Sequence, residues 1–84
     1  MPDIVVYKTE YCGYCTAAIR FLEDKKGVQV RGVDLTHDPE GRMQLVQRTG
    51  LRTVPQIFIG DTHVGGYDDL IALERAGKLD DLLG

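Results

Sequence analysis

The stretch Ile4-Val5-Val6-Tyr7-Lys8-Thr9-Glu10-Tyr11-Cys12-Gly13-Tyr14-Cys15 decides how the rest of the chain reads. Ile4 to Tyr7 is a short, apolar, β-branched run. Its length and composition suit a buried strand over Asp3–Lys8, parallel and central in a sheet. Lys8-Thr9-Glu10-Tyr11 reads as a loop. From about Gly13 to Lys26 the period changes: Cys15, Ala18, Ile19 and Leu22 follow the i, i+3, i+4, i+7 spacing that lines one face of a helix. Gly27 suits a left-handed cap, and Lys25-Lys26 suits the negative end of the helix dipole. The only two cysteines of the chain therefore stand where a strand hands over to a helix.

Outward from that unit, Val28, Val30 and Val33 mark a second strand, with Gln29 and Arg31 turned away. A strand–helix–strand unit of this length predicts a right-handed crossover and a parallel strand pair. Asp38-Pro39 is a helix start, Asp as N-cap and Pro at the first helical position. The helix is expected to run to Thr49, burying Met43 and Val46, with Gly50 closing it. Ile57-Phe58-Ile59 and Thr62-His63-Val64 flank the turn Gly60-Asp61 and read as an antiparallel hairpin. Gly65-Gly66 breaks the hairpin, and Tyr67 or Asp68 opens a third helix through about Ala76 with Leu70, Ile71 and Leu73 apolar. Gly77 ends it, and Lys78–Leu83 reads as a short terminal helix. The expected class is α/β, order β-α-β-α-β-β-α, with one mixed four-stranded sheet flanked by helices on both faces.

Eighty-four residues predict one domain spanning 1–84, with a core that gives only modest stability. A net charge of −3 argues against nucleic acid, which calls for a basic patch. No apolar run approaches the roughly 20 residues needed to span a bilayer, and Met1-Pro2-Asp3 does not read as a secretory leader. The expectation is a cytoplasmic protein without a membrane or nucleic-acid partner. In a reducing compartment, two close cysteines point to catalysis or metal binding ahead of a structural bridge.

Thiol–disulfide exchange needs a thiolate that attacks and a second thiol that resolves the mixed disulfide. A cysteine at a helix N-terminus or beside a cation ionises more readily than a free one. Cys12 is placed at such a terminus, with Lys8 nearby in sequence. Cys15 lies about one turn further in and is expected to be more buried. Cys12 is thus the expected nucleophile and Cys15 the resolver. Two other readings stand beside this one. Half a zinc site would need two more ligands, and His37 and His63 match no zinc spacing. A purely structural disulfide gains little from closing so short a loop. Gly13 between the cysteines leaves the backbone open to a bulky partner, or is a neutral choice.

Further along, Thr53-Val54-Pro55 precedes the third strand. It is an ordinary loop proline, or a cis proline that turns the Val54 backbone toward the thiols, where an extended substrate would pair as an added strand. Gly65-Gly66-Tyr67-Asp68-Asp69 offers free N–H groups at a helix start, an anion site, with Asp68 able to cap the helix and to bind an ammonium. The bland reading is a glycine turn with an Asp cap. Arg42 and Arg52 are each solvated or available to a carboxylate. No role is assigned to His37 or His63.

Lys8, Cys12-Gly13-Tyr14-Cys15, Thr53-Val54-Pro55-Gln56-Ile57-Phe58-Ile59 and Gly65-Gly66-Tyr67-Asp68-Asp69-Leu70 together resemble the glutaredoxin family, of the thioredoxin fold. The likeness covers essentially the whole chain. It implies glutathione-dependent reduction of protein disulfides and removal of glutathione from protein thiols. By position, Cys12 would form the mixed disulfide with glutathione and Cys15 would resolve protein disulfides. Lys8, Tyr14 and Arg42 would contact the glycine end and cysteinyl region of glutathione. Thr53 and Val54 would pair with its backbone beside a cis Pro55, and Tyr67 and Asp68 would hold its γ-glutamyl end. The implied partners are glutathione and glutathionylated or disulfide-containing proteins, met by a monomer. Members with Gly-Tyr between the cysteines are similar to a subset that includes [2Fe–2S] carriers. This implies the alternative of a cluster held by Cys12 and bridging a dimer. Tyr67 stands where smaller residues such as Cys are frequent. A redoxin served by a flavoprotein reductase is the remaining alternative, and the glutathione-site residues speak against it.

Overall fold

A computed structural model describes residues 2–84. The elements are β1 (Ile4–Lys8), α1 (Gly13–Arg20), β2 (Arg31–Asp34), α2 (Pro39–Thr49), β3 (Gln56–Ile59), β4 (Thr62–Gly65), α3 (Tyr67–Arg75) and α4 (Leu79–Leu83). α1 continues as one wider turn over Phe21–Lys25, in which the Lys26 N–H reaches the Phe21 carbonyl five residues back at 3.3 Å. Sheet order is β2-β1-β3-β4. β1 pairs parallel with β2 and antiparallel with β3, and β3 and β4 form the hairpin. This is the thioredoxin-fold arrangement, a mixed sheet flanked by helices. No helix among the described residues is long and apolar enough to cross a membrane.

β1 and β3 lie between the edge strands, so their side chains are buried on both faces, which is why Ile4–Tyr7 reads as an unbroken apolar run. The period of two then divides those residues. Ile4, Val6, Ile57 and Ile59 face α1, α3 and α4 through Ala18, Leu22, Leu70, Leu79 and Leu83. Val5 and Phe58 face the opposite side, where Leu45 of α2 and Leu35 cover them.

Four expectations need correction. The second strand does not begin at Val28. Gly27 takes the left-handed conformation (φ +66°), and the Val28 N–H bonds to the Leu22 carbonyl at 3.2 Å, which holds the segment against the end of the first helix. Val28 and Val30 still pack on the larger cluster, while Val33, an odd number of residues later, points into the smaller one. In α2 the anchor is Leu45, 4% exposed, and Met43 is 52% exposed. At about 100° per residue the two are about 200° apart, so one helix face cannot bury both. α3 is capped by Gly66, not by Asp68. The Asp69 carboxylate reaches back to accept the Gly66 N–H at 2.9 Å. β1 and α4 each start one residue later than expected and end where expected.

Candidate active site

Cys12 occupies the N-cap of α1 in an extended conformation (φ −113°, ψ 102°), and its Sγ accepts the Cys15 N–H at 3.1 Å. Its own carbonyl accepts the Thr16 N–H at 3.2 Å, so Cys12 is tied to the first turn from both sides. One turn in, Cys15 is 1% exposed and faces the core, while Cys12 is half-buried. The two sulfurs form a disulfide, with Cα atoms 5.2 Å apart. Only the Cys12 end is open to an incoming reactant. An N–H aimed at that sulfur from a helix start favours a thiolate over a thiol when the bridge is reduced.

The loop that delivers Cys12 is clamped to the end of β2. Leu35 N–H donates to the Lys8 carbonyl at 2.8 Å, and Glu10 N–H donates to Thr36 Oγ1 at 2.7 Å. Thr36 Oγ1 and its N–H in turn donate to Asp34 Oδ1 at 2.6 and 2.9 Å. These two bonds hold the Asp34 carboxyl below its ordinary range, with smaller help from the charge of Lys8.

Across from Cys12 lies the Val54 carbonyl oxygen, 3.8 Å from its Sγ, and the Val54–Pro55 peptide is cis. Gln56, almost fully buried, donates its amide to the carbonyls of Leu51 and Thr53 at 2.9 and 3.0 Å. This pins the approach to Val54 onto β3. Next to this segment a cleft of about 250 Å³ is lined by Tyr14, Thr53, Val54, Pro55, Gly66, Tyr67, Asp68 and Asp69. The Tyr14 and Tyr67 rings stand 5.8 Å apart across it. The start of α3 forms one wall, where by helix geometry the first N–H groups have no carbonyl one turn back.

The fold therefore brings Tyr14, Thr53, Val54, Pro55, Tyr67 and Asp68 to one cleft beside Cys12. It does not bring Lys8 or Arg42 there. The Lys8 stem runs over Gly32, where an added Cβ would come within 3.4 Å of Lys8 Cε. Arg42 is on the exposed side of α2 and is not among the residues lining the cleft. His63 stacks on Phe58 with centroids 4.8 Å apart, and the exposed His37 is 3.9 Å from Glu10. Among the described residues no three His, Cys, Asp or Glu side chains are grouped to hold a metal ion. Gln56 and Asp69 stand within the motifs quoted above but carry no role of their own there, and Thr36 is not singled out. The only available signals were polar residues beside a loop proline, after a strand and three residues into a helix.

A dithiol at a helix N-terminus beside a cis proline, on this sheet, defines a thiol–disulfide oxidoreductase of the thioredoxin fold. The glutaredoxin family profile matches residues 4–64. A glutaredoxin of Pseudomonas aeruginosa is 53% identical over 83 residues, covering 99% of this chain and 98% of the relative. Glutaredoxin 3 of Escherichia coli is 41% identical, with 99% of each chain covered. The crystal structure of a buckwheat glutaredoxin–glutathione complex superposes with a TM-score of 0.85 at 38% identity, covering 98% of this chain and 76% of that one. The chain belongs to the glutaredoxin family.

Proposed function

We propose that residues 1–84 act as one glutaredoxin domain, a monomeric, cytoplasmic, glutathione-coupled dithiol oxidoreductase. The observation that carries this reading is the position of Cys12 Sγ, 3.8 Å from the Val54 carbonyl, at the edge of a cleft whose far wall is a helix N-terminus. The γ-glutamyl carboxylate of glutathione suits the free N–H groups at Tyr67 and Asp68, and its ammonium suits the Asp68 carboxylate. The tripeptide backbone pairs with Val54, flanked by Thr53 and Pro55, and its sulfur then meets Cys12 beside Tyr14. Lys8 and Arg42 are left as long, flexible cations for the glycine carboxylate, reached by reorientation from outside the cleft. The glutathione bound to the buckwheat relative supports the ligand class.

Two routes follow. With a glutathionylated protein, the Cys12 thiolate attacks the glutathione sulfur and expels the protein thiolate, which takes a proton. A second glutathione thiolate then attacks the Cys12 adduct, releasing oxidised glutathione and restoring the Cys12 thiolate. With a protein disulfide, Cys12 attacks one sulfur and the other leaves as a thiolate. Cys15 then attacks Cys12 Sγ, freeing the reduced protein and leaving the Cys12–Cys15 bridge, which two glutathione molecules reduce.

The test is a pair of variants assayed with glutathione. Cys12→Ser is expected to lose every activity. Cys15→Ser is expected to keep deglutathionylation and to lose reduction of protein disulfides. Turnover retained by Cys12→Ser sinks the reading.

One observation favours a second role as a [2Fe–2S] carrier. A side chain at Gly13 would meet nothing within 4 Å, so the surface beside Cys12 is bare to a second copy. Cys12 would give one thiolate, and the remaining ligands would come from glutathione and the partner copy. Brown, dimeric protein from anaerobic purification would support this role, and a colourless monomer would remove it.

A further inference from the structure

Tyr11 is 94% exposed, the most exposed large hydrophobic side chain among the described residues, and it immediately precedes Cys12. An aromatic ring so placed is ordinarily free to fold back onto the surface, because burying it is favourable. Here the backbone on both sides is held. Glu10 N–H is fixed to Thr36 Oγ1 at 2.7 Å, and Cys12 is fixed as the helix cap by Cys15 N–H at 3.1 Å. Tyr11 is thus presented to solvent by a clamped loop. It does not line the cleft assigned to glutathione. Tyr14, 67% exposed, belongs instead to the cleft, where its ring faces Tyr67.

A protein substrate brings to Cys12 Sγ either its own disulfide sulfur or the glutathione sulfur bonded to it, with the protein sulfur as the adjacent leaving group, so the surface around Cys12 lies inside that encounter. Free glutathione in the cleft has no such need of Tyr11. We propose that Tyr11 is a specificity-determining residue for polypeptide substrates, taking an apolar or aromatic side chain next to the target cysteine and leaving small glutathione disulfides unaffected. The proposal rests on the glutathione-coupled reading above. What Tyr11 offers a substrate is an almost fully exposed aromatic ring, so an apolar or aromatic flank is the feature it can read.

The experiment uses full-length protein with glutathione and three substrates. These are the mixed disulfide of glutathione with 2-mercaptoethanol, and two glutathionylated synthetic peptides that differ only in Leu or Ser beside the cysteine. Wild type is expected to favour the Leu peptide over the Ser peptide by roughly tenfold in kcat/KM, the usual scale for one aromatic anchor. Tyr11→Ala is expected to erase that preference through KM, with the small disulfide turned over as before. Tyr11→Phe is expected to retain it. Equal slowing of all three substrates by Tyr11→Ala overturns the proposal, because it would show a structural role, and so does an unchanged Leu-to-Ser ratio. Failure of wild type to turn over even the small disulfide would instead break the glutathione-coupled reading, so the two failures are distinguishable.

Discussion

The two faces of the sheet are covered in different ways. On one face α1, α3 and α4 complete a cluster of ten buried aliphatic residues among those described. On the other, α2 contributes Leu45 to a cluster of four. The Phe58 ring there is roofed by polar groups. The Arg48 guanidinium sits 4.8 Å from its centroid, and His63 stacks on it. Arg48 also donates to the Tyr7 hydroxyl at 3.2 Å. Cys12, Cys15 and both helical walls of the cleft belong to elements of the thick face. The site is thus mounted where burial is greatest, and α2 is the element with least holding it.

The largest test of that contrast is truncation of the cores. Leu22→Ala and Leu70→Ala, both fully buried on the thick face, are expected to cost about 3–4 kcal/mol in urea unfolding, against about 2 kcal/mol for Leu45→Ala on a face that collapses more easily. A reversed ranking breaks the comparison. Next is Gly65→Ala. Gly65 has φ +111°, and a Cβ there would run into the Asp69 carboxylate that closes the start of α3. The expected loss is about 2 kcal/mol, with weaker glutathione binding in titration calorimetry.

A smaller effect is expected on the thin face. Asp38 caps α2 by accepting the Gly41 N–H at 2.9 Å. Asp38→Ala is expected to cost about 1 kcal/mol. Amide exchange should quicken across Pro39–Thr49 while α1 stays protected.

The smallest effects are titrations. Lys26 bonds Asp80 and Glu74 at 2.8 Å each and so ties the end of the first helix to α3 and α4. Its pKa is raised above 10.5, first by the Asp80 hydrogen bond and then by Glu74. That contribution is present below pH 10.5 and is lost as pH rises through the folded value. Lys26→Met should flatten the alkaline limb of a stability–pH curve. Asp34 runs the opposite way. Its folded pKa lies below 3.8, so its contribution holds above pH 3.8 and fades as pH falls through the folded value. Asp34→Asn should flatten the acid limb.

Much of this was legible along the chain. Runs of β-branched residues, the Asp38-Pro39 start and glycines at helix ends are local signals, and the elements they predict are present in the predicted order. What failed was orientation. Met43 and Leu45 are both apolar, and only the position of α2 over Val5 and Phe58 decides which is buried. Val28 and Val33 look like one strand until the Leu22 carbonyl captures the Val28 N–H. Asp68 and Asp69 are chemically alike, and only the path of Gly65-Gly66 sets which carboxylate closes the helix start.

The sequence by itself determined the chemistry of this protein: two cysteines one helical turn apart where a strand enters a helix, with a proline and a glycine pair further on. Backbone dihedral preferences and hydrophobic periodicity act over a few residues, so they can be read from neighbours. The tertiary structure alone decided which residues share a space. It set the Val54 carbonyl 3.8 Å from Cys12 Sγ, gathered Tyr14, Tyr67 and Asp68 around one cleft and left Lys8 and Arg42 outside it. It also fixed the Tyr11 loop through Thr36. Those relations depend on strand register and helix rotation, which are set by packing among residues far apart in the chain.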